Sequence, residues 1–213
     1  MSSNGEIVFV VDDDVRVREA LGELLEALGW RAETFANAAD YVAYAKPDLP
    51  ACLILDVELP DINGLDLQRQ IGESDHPPIV FITGHGDIPS TVRAIKHGAV
   101  DFLTKPFSDA DLVAAIRAAI AQDRARRSDR AELDVLRQRY LDLTSRERDV
   151  LPLVVSGLLN KQAAAELGIS EVTLQIHRRN IMQKMAAASL ADLVRIAEKL
   201  QIPVTHSRRS GSS

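Results

Sequence analysis

The sequence of 213 residues predicts a doubly wound α/β domain with a five-stranded parallel sheet, then a long linker helix, then an all-α four-helix domain. Over the first part of the chain, short apolar runs alternate with stretches whose apolar residues recur at helical spacing, which is typical of an α/β fold. From Ser108 onward only helical spacing remains. The predicted limits are 1–121, 122–141 (helical linker), 142–202 and 203–213 (a disordered tail).

The strands are predicted from runs that are apolar on both faces, as buried parallel strands are. These runs are 7–11, 31–35 (the weakest), 52–55, 79–82 and 100–103. The clearest helix carries apolar residues from Val17 to Leu28 and is closed by Gly29. Weaker helical patterns cover 38–45, 64–72 and 88–97.

Residues 108–141 are predicted to form one long helix or two abutting ones, because they are rich in Ala and Arg and contain no Pro or Gly. The second half carries an apolar stripe that is a candidate dimerisation seam, although it is too short for a coiled coil. The stripe consists of Leu133, Leu136, Tyr140 and Leu143.

The third segment begins with a capping box, Thr144 to Glu147, which opens a helix at residue 145. Pro152 lies inside that helix and should bend it near Arg148, unless the helix limits differ. A short helix, a Gly-containing turn and a longer helix follow over 160–186, which is the spacing of a helix-turn-helix. A last helix ends near residue 200.

Charge divides the chain. Residues 1–121 carry 9 Lys/Arg against 20 Asp/Glu, whereas residues 142–213 carry 10 against 7, a net charge of +3. The basic segment suits a polyanion, although two differently solvated surfaces would give the same contrast. The N-terminus lacks signal-peptide features, no apolar run reaches the ~20 residues of a membrane helix, and Cys52 is the single cysteine, so we expect a cytoplasmic protein without a membrane partner.

Complementary groups follow the predicted strands at the carboxyl edge of the sheet, where ligands bind in such folds. Asp12 and Asp13 follow the first strand, Asp56 ends the third, Thr83 ends the fourth and Lys105 follows the fifth. Each alone is more often a helix cap or a structural group, but together they suit a Mg²⁺ ion (Mn²⁺ or Ca²⁺ could substitute) and an acyl phosphate on Asp56.

Residues 11–14, 55–64, 82–86 and 102–107 resemble the receiver domain of bacterial response regulators, and their wider context is similar to the FixJ branch. The resemblance implies phosphorylation of Asp56 by a sensor histidine kinase. It also implies Mg²⁺ bound by Asp13, Asp56 and the backbone carbonyl of Glu58, with Asp12 acting partly through water.

The same resemblance implies a cis Lys105–Pro106 bond and a switch pair, Thr83 and Phe102. Glu58 and His85 depart from the common pattern. Both would flank the path of an attacking water, or else are solvated residues of the rim.

Residues 143–151, 157–161, 166–170 and 173–178 resemble the LuxR-type DNA-binding domain. The second helix of the pair would enter the major groove. The candidate DNA contacts are Lys161, Thr173, Gln175, Ile176, Arg178, Arg179 and Lys184. The resemblance implies dimerisation through the last helix, by Leu190, Leu193, Val194 and Ala197.

We therefore expect a DNA-binding response regulator of a two-component system rather than a turnover enzyme. Phosphorylation would favour a homodimer through the face of 88–107, so that two linked domains bind a two-fold symmetric duplex site; direct inhibition of DNA binding by the receiver is the alternative. RNA polymerase is a further candidate partner. The competing hypotheses are a Mg²⁺-dependent aspartyl-phosphate phosphatase and an RNA-binding regulator.

Overall fold

The structure is a computed structural model that describes residues 5–72, 76–84 and 88–203, with the backbone alone for 88–90. These residues fall into two compact units, which meet in sequence between Arg127 and Ser128. That division lies inside the segment 122–141 that the sequence predicts to be the linker.

The first unit contains a five-stranded, fully parallel sheet with the strand order β2-β1-β3-β4-β5. The apolar runs of the sequence form its strands, and every residue of the three central strands is buried, as in a parallel sheet that is covered on both faces. The strands are β1 (Ile7–Val11), β2 (Arg31–Phe35), β3 (Ala51–Asp56), β4 (Ile79–Thr83) and β5 (Asp101–Thr104). The predicted five-stranded sheet is thus confirmed.

Helices cover both faces of this sheet: α1 (Val15–Ala27), α2 (Ala38–Ala43), α3 (Gly64–Ile71), α4 (Ile88–Lys96) and the first part of α5 (Asp109–Leu141). One apolar layer packs α1 and α5 against the sheet, with Leu25 and Ile116 fully buried. The other packs α2, α3 and α4 on the opposite face, around Phe9 and Tyr41. The domain is therefore doubly wound, as the sequence predicts.

Polar contacts fix the part of α5 that belongs to the first unit to the amino edge of the sheet. The Asp123 carboxylate, which is buried, accepts hydrogen bonds from the backbone N–H of Ala51 (2.9 Å) and from Arg127 Nε (2.7 Å). Arg124 pairs with Glu6, which also accepts a hydrogen bond from Trp30 Nε1 at 2.8 Å. These contacts tie the helix to the starts of β1 and β3.

Helix α5 is a single helix of 33 residues, which answers the question that the sequence left open. In its second half, Leu136 is buried in the core of the second unit and Tyr140 packs against that core. Leu143, two residues beyond the end of the helix, is buried in the same core. Three of the four residues of the apolar stripe are therefore covered within the chain, whereas Leu133 is only half-buried and lies outside this core. A dimerisation seam at this stripe stays a prediction. Within the described ranges, no helix has both the length and the apolar character required to cross a membrane.

The second unit continues with α6 (Ser145–Val155), α7 (Asn160–Leu167), α8 (Glu171–Lys184) and α9 (Leu190–Lys199). Side-chain caps start three of these helices, at Thr144, Ser170 and Ser189. Gly168 ends α7 with φ +66°, a left-handed conformation that glycine adopts without steric cost. The turn between α7 and α8 therefore follows from local sequence.

Pro152 does not interrupt α6, which keeps the predicted start at residue 145. Proline removes its own N–H from the helix, but its carbonyl still accepts hydrogen bonds from the Ser156 backbone (3.0 Å) and hydroxyl (2.6 Å). The helix runs from Ser145 to Val155, so the predicted start holds, and the bend near Arg148 stays a prediction.

A buried carboxylate joins the start of α6 to the end of α8. Glu147 is 2% exposed and accepts hydrogen bonds from the Thr144 backbone N–H (2.8 Å) and from Lys184 Nζ (2.7 Å). Lys184 also donates to the carbonyl of Asp142 at 3.2 Å. Burial acts to raise the pKa of Glu147, but the hydrogen bonds from Lys184 and Thr144 outweigh it and the pKa is lowered.

Replacing Lys184 with methionine should lower the free energy of unfolding of the second unit by about 1–2 kcal/mol, because Glu147 would remain buried without its cation. The partial exposure of Lys184 keeps the loss below that of a fully buried pair. Hydrogen exchange of the α6 and α8 amides in the full chain measures the effect. Lys161→Met, at an exposed lysine of α7, is the control, with a change within about 0.5 kcal/mol.

The stability lost in Lys184→Met should also depend on pH. A lowered pKa of Glu147 means that its stabilisation is present above about pH 4.3, the usual value for the unfolded chain, and disappears as the pH falls through the folded value. The melting temperatures of wild type and Lys184→Met should therefore converge in strong acid. A difference that stayed constant from neutral pH into strong acid would contradict this role for the pair.

Candidate functional site

The carboxyl edge of the sheet brings together the charged groups that the sequence places after β1, β3 and β5. Lys105 Nζ lies 2.6 Å from Asp12 Oδ2 and 2.7 Å from Asp56 Oδ2. One ammonium group therefore bridges the carboxylates at the ends of the neighbouring strands β1 and β3. The Lys105–Pro106 bond is cis, as expected.

Both carboxylates lie deep in the rim: Asp12 is 0% and Asp56 5% exposed. Burial raises the pKa of Asp12, against the opposing effect of the Lys105 hydrogen bond. Burial acts to lower the pKa of Lys105, but the hydrogen bonds to Asp12 and Asp56 outweigh it and the pKa is raised. Lys105 is therefore held as a cation at neutral pH.

Backbone amides complete the hydrogen bonding of these carboxylates. Glu58 N donates to Asp56 Oδ1 and Asp14 N donates to Asp12 Oδ1, both at 2.9 Å. Each aspartate thus has one oxygen on Lys105 and the other on a backbone N–H. The side chain of Asp14 caps α1 instead, by accepting from the backbone N–H of Arg16.

Asp12, Asp13 and Asp56 offer carboxylate oxygens that all lie within 4.8 Å of one another. Asp13 is exposed, whereas the other two are buried. Hard oxygen donors with an open, solvated side are what Mg²⁺ prefers, because it retains several waters. The donor set therefore fits a divalent cation.

The predicted switch residues, Thr83 and Phe102, lie on β4 and β5, which are neighbouring strands. Thr83, at the end of β4, is buried, and its carbonyl accepts a hydrogen bond from the Lys105 backbone N–H at 2.8 Å. Phe102 on β5 is half-buried, and its ring centroid lies 6.1 Å from that of Phe81. His85 lies outside the described residues.

Three residues that support the site were not singled out from the sequence. A Cβ atom on Gly64 would lie 2.3 Å from the carbonyl oxygen of Asp56, so only glycine fits there. The Asp61 carboxylate accepts hydrogen bonds from backbone N–H groups at the start of α2. Arg18 Nη1 donates to the Asp12 carbonyl oxygen at 2.7 Å. The Asn63-Gly64 pair is a recognisable turn signal, but no local pattern marks the other two.

In the second unit, α8 presents an exposed face, which we call the outer face of α8. Its members recur at helical spacing, and they are Val172, Gln175, Ile176, Arg179 and Gln183. Leu174 and Ile181, on the opposite side, are buried in the core. Of the predicted DNA contacts, Gln175, Ile176 and Arg179 lie on this face, and Lys161 is exposed on α7.

Three further predicted contacts are occupied within the domain. The Thr173 hydroxyl lies 2.8 Å from that of Ser170 at the helix cap, and Arg178 Nη1 donates to Asn160 Oδ1 at 2.8 Å. Lys184 pairs with Glu147, as described above. We therefore revise the prediction for Lys184, because its ammonium holds α8 in place instead of extending toward a phosphate.

The predicted dimerisation face of α9 also needs correction. Leu193 and Ala197 are 0% and 1% exposed within the single chain, where they belong to the core of the second unit, and Val194 packs against that core. Leu190 remains the exposed member of the set. Amphipathic spacing does not say what covers an apolar stripe, so the sequence alone does not distinguish this core contact from a dimer surface.

Two family assignments cover most of the chain. Residues 8–117 match the response regulator receiver domain, and residues 141–197 match the LuxR family of bacterial regulatory proteins.

Proteins of similar sequence match this chain over nearly their whole length. Nodulation protein W of Bradyrhizobium diazoefficiens is 46% identical over 210 residues, which is 98% of this chain and 92% of that protein. The structure of the response regulator StyR is 49% identical with a TM-score of 0.79 and covers 92% of this chain and 99% of its own. Full-length FixJ from B. japonicum is 36% identical with a TM-score of 0.54 and covers 95% and 100%.

Gly64→Ala should lower the free energy of unfolding of the first unit by about 1–3 kcal/mol, the usual cost of overpacking, because the carbonyl of Asp56 would have to move. Thermal unfolding followed by the fluorescence of Trp30, the single tryptophan, measures the effect in this unit. Gly22→Ala is the matched control. It lies inside α1 with its nearest neighbour 3.9 Å away, and should stabilise by up to about 1 kcal/mol. Equal effects of the two substitutions would contradict the steric argument.

Proposed function

Because the chain belongs to the response regulators that join a receiver domain to a LuxR-type DNA-binding domain, we propose that phosphorylation of Asp56 controls its binding to DNA. The observation that carries the proposal is the buried Asp56 carboxylate, bridged by Lys105 to Asp12 and adjacent to Asp13. Few structural roles require that arrangement, since buried like charges repel unless a cation accompanies them.

The reaction is phosphoryl transfer to Asp56. A carboxylate oxygen of Asp56 attacks phosphorus, an O–P bond forms, and the P–N bond to the phosphohistidine of a sensor kinase breaks. Lys105 pairs with an oxygen of the transferred group. A Mg²⁺ ion bound by Asp12, Asp13, Asp56 and the Glu58 carbonyl would supply positive charge as the phosphoryl group arrives.

An apolar groove of about 690 Å³ beside the acceptor site supports a protein phosphodonor. Val17, Leu21 and Leu24 of α1 line one side, and Pro106 and Phe107 line the other. Because Lys105 is also part of this groove, a partner helix packed there would lie next to Asp56. An apolar groove with a charged rim is the usual form of a helix-docking surface.

The new phosphate is proposed to draw the Thr83 hydroxyl toward it and the Phe102 ring inward. Both residues lie beside Lys105, on β4 and β5. The apolar Val92 and Ile95 of α4 are about half exposed, which suits a homodimer through the face of 88–107. Two linked domains would then engage a two-fold symmetric duplex, with affinity raised by bivalency.

In the DNA-bound state, Gln175, Ile176 and Arg179 are proposed to contact bases and phosphates, with Lys161 on the backbone. Arg178 and Thr173 would contribute by holding α8 in position, because both make contacts within the domain. We place the protein in the cytoplasm and propose RNA polymerase as a further partner. We assign residues 1–121 as the receiver domain, 122–141 as the helical linker and 142–202 as the DNA-binding domain. The sequence does not indicate turnover of phosphate esters.

Acetyl phosphate with Mg²⁺ should add one phosphoryl group per chain, and Asp56→Asn should add none, as measured by intact-protein mass. Asp66→Asn, an exposed aspartate of α3, is the control and should be labelled like wild type. A chelator should abolish the labelling. Wild-type labelling of Asp56→Asn, or continuous release of phosphate from small esters, would contradict the assignment and favour a phosphatase.

Acetyl phosphate should increase the affinity of wild type for selected duplex DNA by at least about tenfold, and leave Asp56→Ala unchanged. The experiment selects sites from random-sequence duplexes, then measures binding by fluorescence anisotropy in all four combinations of protein and treatment. Equal affinity in the four would defeat phosphorylation control. Absence of duplex binding, or preference for single-stranded RNA, would defeat the DNA-binding assignment.

A further inference from the structure

The outer face of α8 carries two large apolar side chains in solvent. Val172 is 67% and Ile176 55% exposed. They are four residues apart and so lie side by side, about one turn along the helix. The core of the second unit takes its apolar residues from the opposite side of α8, so neither side chain contributes to the fold.

Their neighbours on this face are uncharged or cationic: Gln175 and Gln183 are exposed amides and Arg179 is an exposed guanidinium. The nearby basic and hydroxyl groups Arg178, Lys184 and Thr173 are held in contacts within the domain. The part of α8 that is open to a ligand is therefore an apolar pair surrounded by hydrogen-bonding groups. A helix that bound phosphate alone would need more cations and no apolar pair.

In the major groove, thymine presents a 5-methyl group to an apolar side chain, and adenine presents the N6 and N7 pattern that a glutamine amide matches. Four residues of α-helix rise about 6 Å. Base pairs are stacked at about 3.4 Å. Val172 and Ile176 are therefore spaced to touch the methyl groups of thymines one or two steps apart, with Gln175 between them facing an adenine.

We propose that Val172 and Ile176 are specificity-determining residues, which select A·T pairs in each half-site by packing against thymine 5-methyl groups. The inference rests on the proposed function, because it requires that α8 enters the major groove. Charge favours DNA over a protein as the occupant of this face, since Arg179 lies on it and residues 142–213 carry a net charge of +3.

The test replaces thymines of the selected duplex one at a time with deoxyuridine, which removes the methyl group and keeps the base pairing. Affinity of the acetyl phosphate-treated full chain is measured at one fixed salt concentration. We expect about a fourfold loss at one or two thymines per half-site, the ratio for losing one buried methyl group. Deoxyuridine at the remaining thymines should change nothing.

Variants then identify the residues. Val172→Ala and Ile176→Ala should each bind thymine and deoxyuridine duplexes equally at one of the sensitive positions, while retaining wild-type sensitivity at the other. Lys161→Met is the control: it should weaken binding to all duplexes by one common factor, as loss of a phosphate contact does, and leave the thymine-to-deoxyuridine ratio unchanged. Unchanged melting temperatures of the alanine variants would show that the fold is intact.

Failure of this inference differs from failure of the proposed function. If the chain binds duplex DNA but deoxyuridine has no effect anywhere, or both alanine variants keep the wild-type ratios, the inference is overturned and the function stands. If the alanine variants alter the oligomeric state in sedimentation and leave the ratios alone, the face binds a second copy, which also overturns it. Absence of duplex binding overturns both.

Discussion

The bridge from Lys105 to Asp12 and Asp56 is the interaction on which the receiver depends. Two carboxylates buried at one edge of a sheet repel each other, and burial raises the pKa of Asp12. The ammonium of Lys105 keeps the cluster charged and joins β1, β3 and the end of β5 across the sheet. Lys105 therefore connects the side chain of Asp56 to the strand that carries Phe102.

Helix α5 belongs to the cores of both units. Asp123, Arg124 and Arg127 hold it at the amino edge of the sheet, and its last turns supply Leu136 and Tyr140 to the core around α6 and α8. The same packing covers Leu136 and Tyr140 of the apolar stripe within the chain.

The DNA-binding unit uses much of its polar chemistry to position α8. Glu147 with Lys184 fixes the end of the helix, Asn160 with Arg178 fixes its middle, and the Ser170 cap fixes its start. Because these groups are occupied, the outer face is left to apolar and amide side chains and to one cation, Arg179. That composition favours recognition of bases over a purely electrostatic attraction to phosphate.

The sequence alone determined the succession of strands and helices along the chain, the cap at Thr144, and the set of residues at the carboxyl edge. These depend on local periodicity, on short-range hydrogen bonds and on the rule that parallel strands end together. Only the tertiary structure decided which apolar stripes are covered, as for Leu193, and which cations are occupied, as for Lys184 and its partner 37 residues away. Burial and ion pairing depend on packing between distant segments, so an amphipathic or basic pattern cannot reveal its own partner.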